Sequence, residues 1–322
     1  MTKRLFDYKE GEDFEAYVLI KSADARVARN GKPFIAFTFQ DQSGTMNGMF
    51  WSATEEQKTT FQPGHVVQLR GKRTNYNGQP QVQITGLRVG QEPEPVDPHL
   101  YMESIEMGRD EIEQELQVSL ALVMDPVISD IVQHILKQTG EKYFDFPAAM
   151  RNHHAVAGGL SFHSITMLRI ARSLLEIYPQ LNSSLLLAGV ILHDIGKTVE
   201  LSGPMSTEYT LEGQLIGHIV IAAEMIDEAA RELTIDPESE QVLALKHVIL
   251  AHHGKLEYGS PVTPRILEAQ ILHHIDHLDA TMDMMTNALS KTEPGNFSQK
   301  IFPLENRAFY KPKFVEETGH ES

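Results

Sequence analysis

Residues 91–98, Gln-Glu-Pro-Glu-Pro-Val-Asp-Pro, constrain this chain more than any other stretch. Three prolines in eight residues remove backbone donors and exclude both a helix interior and a central strand. Three acidic side chains interleaved with them keep the segment in water. It reads as a stiff, extended linker. The 322 residues are thereby divided in two, and the hydrophobic patterning changes across the division.

Before the linker the apolar period is two. Glu15 to Ser22 alternates, and a turn at Asn30-Gly31 leads to Pro33–Phe39, with Ile35, Phe37 and Phe39 on one face. Gln42-Ser43-Gly44 turns into Thr45–Trp51. His65–Gly71 and Gln81–Val89 flank the hairpin signal Asn77-Gly78. Five short strands in residues 1–90 predict a small all-β barrel of the OB type. Such barrels hold single strands by stacking bases on exposed aromatic rings beside cations. The candidates are Phe34, Trp51 and Tyr76, with Arg70, Lys72 and Arg73 nearby; most Phe rings in so small a barrel belong to its core. Tyr76 and Arg73, read as sitting at a polar hairpin tip, are the stronger contact candidates.

After the linker the period becomes helical. Residues 91–150 read as linker plus a helical bridge, Met102–Met124 and Asp125–Thr139, with Pro126 at a helix start and Ile128, Ile131, Val132 and Ile135 as one packing stripe. Residues 151–292 read as an all-α bundle and residues 293–322 as a tail. The tail segment Phe309–Phe314 suits packing on a neighbouring domain or on a second subunit. No internal repeat is visible.

Charge and composition narrow the chemistry. The net charge of −16 argues against simple electrostatic capture of nucleic acid. Its distribution is uneven: residues 1–90 carry 12 basic and 9 acidic side chains, the remainder 16 and 35. With no cysteine, disulfides and thiolate ligands are excluded, so any metal falls to His, Asp and Glu. No apolar run reaches the roughly 20 residues of a membrane span, and residues 1–9 lack the apolar core of a signal peptide. The default expectation is a cytoplasmic protein.

Of the 15 histidines, 11 lie between His153 and His277. His163 follows Gly158-Gly159-Leu160-Ser161-Phe162, with Ser161 as the expected helix cap and His163 in the first turn. His193-Asp194 closes the apolar helix Leu185–Leu192 and is followed by Ile195-Gly196-Lys197. His218 opens a helix running to about Glu232. Asp236-Pro237 is expected to open the next helix, which ends at Ala251-His252-His253-Gly254. Thr263-Pro264 is expected to start the last, with His273, Asp276 and Ala280 on one face. A lone His in a helical protein is more often a packed or surface residue than a ligand. By that measure His247, His273, His274 and His277 include several non-ligands, and Asp279 and Asp283 read as solvated or capping. Several helix ends can nonetheless converge on one pocket, which is how bundles build metal sites.

The order His163, His193-Asp194, His218, His252-His253, Asp276, centred on His193-Asp194-Ile195-Gly196-Lys197, resembles the HD-domain metal-dependent phosphohydrolases over about residues 152–289. With the barrel in front, the whole chain resembles the YhaM-type 3′–5′ exoribonucleases. One departure is His-His-Ile-Asp-His around Asp276, where an Ala-Asp-Asn-like context is expected. The resemblance implies two divalent cations, with Mn²⁺ the expected ion and Fe²⁺, Co²⁺ or Mg²⁺ the alternatives. It assigns His163, His193, Asp194 and Asp276 to one cation and His218, His252 and His253 to the other, with Asp194 bridging. A two-metal site activates a water for attack on phosphorus. Lys197 is then a candidate contact for a phosphate oxygen, or simply a lysine near a helix terminus. His153 and His154 are candidates to touch the substrate or protonate the leaving group. The expected substrate is single-stranded RNA, with single-stranded DNA the neighbouring case. The polarity of cleavage comes from the resemblance alone. Competing expectations are a hydrolase of small nucleotides and a single-strand-binding protein on an inactive scaffold.

Overall fold

The computed structural model describes residues 3–28, 31–76, 79–102, 105, 107–149, 156–204 and 207–314. Five strands form a closed barrel in the order β1-β2-β3-β5-β4: β1 Asp13–Val27, β2 Pro33–Asp41, β3 Gly44–Trp51, β4 Val66–Tyr76 and β5 Gln79–Val89. Strands β1 and β4 are longer than the alternation predicts. Register shifts, with Lys21 the extra residue in β1 and Thr85 the extra residue in β5 opposite Arg70-Gly71 of β4, let the long strands keep pairing while they bend. All pairs are antiparallel except β3–β5, which closes the barrel through Asn47 opposite Gln81 and Gly48 opposite Val82. Ile35, Phe37 and Phe39 point inward with Val18, Ile20, Val67 and Leu69. A short helix, α1 (Glu55–Thr60), is capped by Thr54 and lies between β3 and β4. The expected Asn77-Gly78 turn falls outside the described residues.

The linker does not run out as an extended spacer. It folds back on the barrel, where the Glu94 carboxylate accepts from the Arg88 guanidinium and from the Gln91 amide at 2.8 Å. Tyr101 Oη donates to the Pro95 carbonyl at 2.7 Å. Tyr101 and Met102 then bury against Leu19 and Val66 of the barrel, with Ala157 of the helical half alongside. Glu94 of the linker finds a cation on β5, so the strap is ionic at that point where a polar, proline-rich composition alone predicts solvation.

The helical half comprises α2 Arg109–Leu120, α3 Pro126–Thr139, α4 Lys142–Asp145, α5 Gly159–Ile177, α6 Ser183–Leu192, α7 Lys197–Glu200, α8 Leu211–Leu215, α9 His218–Glu232, α10 Glu240–Leu250 and α11 Leu267–Ser290. The centre is α6, apolar all round and buried from Leu186 to Leu192, a pattern that only an interior helix tolerates. It packs against α2, α3, α5, α10 and α11. Asn182 caps its start by accepting from the Leu185 amide at 3.1 Å. The stripe Ile128, Ile131, Val132 and Ile135 on α3 is fully buried in the same core. At roughly 1.5–3 kcal/mol per side chain, it holds the bridge to the bundle.

Four boundaries differ from expectation. Helix α2 begins at Arg109, not Met102, with Gly108 as its cap. Helix α5 begins at Gly159, after Gly158 in the left-handed region. Ser161 therefore lies inside it and donates back to the Gly158 carbonyl at 3.1 Å instead of capping. Asp236 accepts from the Glu238 amide in a turn, so α10 starts only after Ser239. Helix α11 starts at Leu267, with Ile266 still extended, and the Arg265 amide before it donates to His247 Nε2 at 2.8 Å. After α11 the chain forms a narrow ribbon, with bridges Phe297–Tyr310 and Ile301–Arg307, that leaves Phe302 and Phe314 exposed.

Candidate metal centre and nucleic-acid face

The buried end of α6 delivers His193 as its last, C-capping residue. Asp194 to Gly196 make a tight turn into α7. Gly196 is there because space forbids anything larger: a Cβ would lie 2.2 Å from the His218 carbonyl oxygen. That close approach brings the start of α9, and so His218, beside Asp194. The end of α10 supplies His252 and His253, α5 supplies His163 in its second turn, and α11 supplies Asp276. Five helix ends or faces thus converge on one buried spot.

The ligand atoms sort into two groups: His163, His193 and Asp276 in one, His218, His252 and His253 in the other, each within 4.8 Å. Asp194 stands between them. Its Oδ2 is 3.3 Å from His193 Nε2 and 4.0 Å from His163 Nε2, and its Oδ1 is 3.4 Å from His218 Nε2. His163 Nε2 lies 3.3 Å from Asp276 Oδ1.

Every one of the five imidazoles is anchored at Nδ1. His193 donates to the Val190 carbonyl at 2.8 Å, His252 to Ile249 at 2.7 Å and His253 to Tyr258 at 2.8 Å. His163 donates to Asp279 at 2.7 Å and His218 to Glu200 at 3.1 Å. Carbonyl and carboxylate oxygens only accept, so each Nδ1 carries the proton and each Nε2 is directed inward. This is the outer-sphere arrangement that orients metal-binding histidines. Asp279 is therefore no solvated helix residue; it is buried and holds His163. Glu200 was not singled out in the sequence at all, and it also accepts the His218 amide at 3.0 Å.

Asp194 Oδ1, His218 Nε2 and His252 Nε2 are buried and have no hydrogen-bond partner among the described residues. Three converging acceptors without a donor cost free energy unless a cation completes them. Nitrogen and carboxylate donors without thiolate suit a borderline or hard divalent ion, so the residues present fit the group. The electrostatics agree. Burial opposes the charge on Asp194, yet Lys197 and His193 hold its carboxyl well below the usual range. Asp276 is likewise depressed against its burial, chiefly by the hydrogen bond with His163. Burial and the neighbouring His253 keep His252 neutral far below its usual range. His163 behaves oppositely: burial disfavours its charge, but hydrogen bonds to Asp276 and Asp279 push it up to about 10. Lys197 is buried, and its ammonium donates to Asp194 Oδ2 at 2.6 Å. It therefore reaches the centre through that carboxylate. His153 and His154 lie outside the described residues. His273 packs under the Gly254 turn, its Nδ1 donating to the His252 carbonyl at 3.1 Å.

On the barrel, Phe34 and Trp51 are cross-strand partners on the outer face, ring centroids 4.8 Å apart. Trp51 is 56% exposed. Arg26, opposite Phe34 on β1 and paired with Asp24 at 3.0 Å, completes this lane and was missed in the sequence. Tyr76 is exposed at the far end of β4, opposite Gln79. By register it stands six residues along β5 from the level of Trp51, about 20 Å away. Arg73 is not at the hairpin tip. It is partly buried, with its guanidinium 5.4 Å over the Phe6 ring and its backbone pairing with Gly11 and Glu12. The candidates Phe34, Trp51, Tyr76 and Arg73 are thus split, and Phe34–Trp51 is the coherent patch.

Two family matches divide the chain in the same way. The OB-fold nucleic acid binding domain family matches residues 18–89, and the HD domain family matches residues 160–281. A Listeria innocua protein named 3′–5′ exoribonuclease YhaM is 45% identical over 314 residues, 98% of this chain and 100% of its own. The chain belongs to the YhaM family of 3′–5′ exoribonucleases. A Geobacillus member of the same name is 42% identical over 98% of this chain and 96% of its own. One from Bacillus licheniformis is 43% identical over 98% and 99%. Membership of the YhaM family spans both halves of the chain, barrel and bundle together.

Proposed function

We propose that this chain is a divalent-metal-dependent 3′–5′ exoribonuclease that hydrolyses phosphodiester bonds of single-stranded RNA, with single-stranded DNA as a secondary substrate. The single observation that carries this is the paired ligand groups joined by Asp194, with every histidine anchored so that Nε2 faces inward. His163, His193, Asp194 and Asp276 would hold one cation; His218, His252 and His253, with Asp194 shared, would hold the other. Mn²⁺ is the proposed ion. Bound there, the cations would supply a water of lowered pKa and neutralise charge on the phosphoryl oxygens. Val190, Ile249, Tyr258, Glu200 and Asp279 fix the ring orientations. Lys197 keeps Asp194 ionised and holds its Oδ2. The fully buried His193 and His252 exclude bulk water from the floor of the centre. Phe34 and Trp51 with Arg26 offer stacking faces and a cation to a strand approaching from the barrel. The cytoplasm is the compartment in which this activity is placed.

The test is a ladder assay on single-stranded RNA labelled at either end, run with Mn²⁺, Mg²⁺ or EDTA. Stepwise shortening of the 5′-labelled strand with Mn²⁺ and none with EDTA is expected. Release of internal fragments, or undiminished cleavage in EDTA, overturns the proposal. Unchanged cleavage by His193→Ala/Asp194→Ala removes the centre from the reaction altogether.

A further inference from the structure

Between ligand His253 and Pro261 the chain makes a compact, hydrogen-bonded loop around the single 3₁₀ turn Leu256–Tyr258. The Tyr258 amide donates to the Lys255 carbonyl at 3.1 Å and the Gly259 amide to Leu256 at 3.0 Å. Gly254 opens the loop at φ +78, and the His273 ring leaves no room for a Cβ there. Within this loop Tyr258 has two faces. Its carbonyl oxygen orients His253, and the residue is 57% exposed. The Lys255 ammonium lies over that ring, 5.2 Å from its centroid, and 3.7 Å from the Glu257 carboxylate. A tyrosine ring this exposed contributes little to the core, and its backbone role would be met by any residue. The ring itself is unassigned.

An exposed aromatic ring with a cation over one face, held by the same short loop as the candidate ligand His253, has the chemistry of a seat for one nucleotide whose base takes the opposite face. We propose that Tyr258 stacks on the base at the 3′ end of the strand while Lys255 faces its phosphate, placing the last phosphodiester at the centre. This rests on the exoribonuclease function proposed above and adds how the strand end is positioned. Stacking uses the π face common to all bases, so the seat tolerates any 3′-terminal base.

The test is a cycle of two changes on the full-length protein: Tyr258→Ala in the enzyme, and removal of the base from the 3′-terminal nucleotide of a 5′-labelled oligoribonucleotide. With wild type, losing the base is expected to raise KM about tenfold, the size found for one stacked base. With Tyr258→Ala the KM for the intact strand rises, and the ratio between the two substrates falls below about twofold. Tyr258→Trp keeps the large ratio, which separates stacking from a folding defect. Lys255→Ala weakens both substrates and flattens the salt dependence of KM. A wild type that cleaves RNA without distinguishing the two strands, or a ratio that persists in Tyr258→Ala, overturns the seat and leaves the nuclease function standing. A wild type that does not cleave RNA at all overturns both.

Discussion

At the scale of single residues, the centre depends on groups that touch no ligand position themselves. Asp279→Ala frees Nδ1 of His163 and is expected to lower metal affinity and RNA cleavage about 10- to 100-fold while the far-ultraviolet circular dichroism is retained. Glu200→Ala should do the same through His218. A metal titration by calorimetry checks both, and unchanged affinity would remove the anchoring role. The candidate ligands were legible in the sequence because short motifs place them: His193 and Asp194 are adjacent, as are His252 and His253. Their anchors were not. Asp279 lies 116 positions from His163, and nothing local distinguishes a buried carboxylate from a solvated one. Glu200 is 18 positions from His218 and meets it only because α7 folds back against α9. Arg73 was misread for the converse reason. Polar neighbours in the sequence suggested an exposed tip, while the N-terminal segment covers the side chain in three dimensions.

At the scale of elements, caps decide where helices start and close contacts decide how near they come. Gly196→Ala places a methyl against the His218 carbonyl, a backbone atom that cannot step aside as a side-chain end would. A loss of about 1–3 kcal/mol is expected, read as a lower thermal midpoint, together with weaker metal binding as α9 shifts. An unaltered midpoint would show that the turn relaxes. The β2–β3 face makes a separate prediction. Trp51→Ala should weaken binding of single-stranded RNA by about tenfold in fluorescence anisotropy, whereas Arg73→Ala should act on stability first. Strand existence was readable from alternation, since inward Ile35, Phe37 and Phe39 recur every second residue. The extra length of β1 was not, because the register shift between Ile20 and Ser22 carries no residue signature, and that of β4 was not, because Gly71 and Gly86 at its shift read locally as strand ends. Likewise, Thr263-Pro264 has the composition of a helix start, but the chain is still extended at Ile266.

At the scale of the whole molecule, barrel and bundle are joined by an ionic strap and a small apolar seam. Hydrogen bonds from Arg88 first, then from the Gln91 amide, depress Glu94 to about 2 from its ordinary 4.5. A depressed carboxyl stabilises the strap above pH 4.5, and that contribution is lost as pH falls through the range from 4.5 towards 2. Cleavage of residues 91–98 by an acid-active protease should therefore accelerate over that interval in wild type. Glu94→Gln should be cleaved quickly at all pH values, and a flat wild-type profile would dismiss the strap. The two-part architecture was readable from composition; the strap was not, because it needs Arg88 and Glu94 on facing surfaces. The anchoring of the five histidines has one further consequence, for descent. Three of the five anchors are main-chain carbonyls, of Val190, Ile249 and Tyr258, which no codon change can delete. Only Glu200 and Asp279 expose their function to point mutation. Natural variation that retunes which cation the centre prefers therefore has two doors to enter by, one in each ligand group, and lineages that differ in metal use should differ there first.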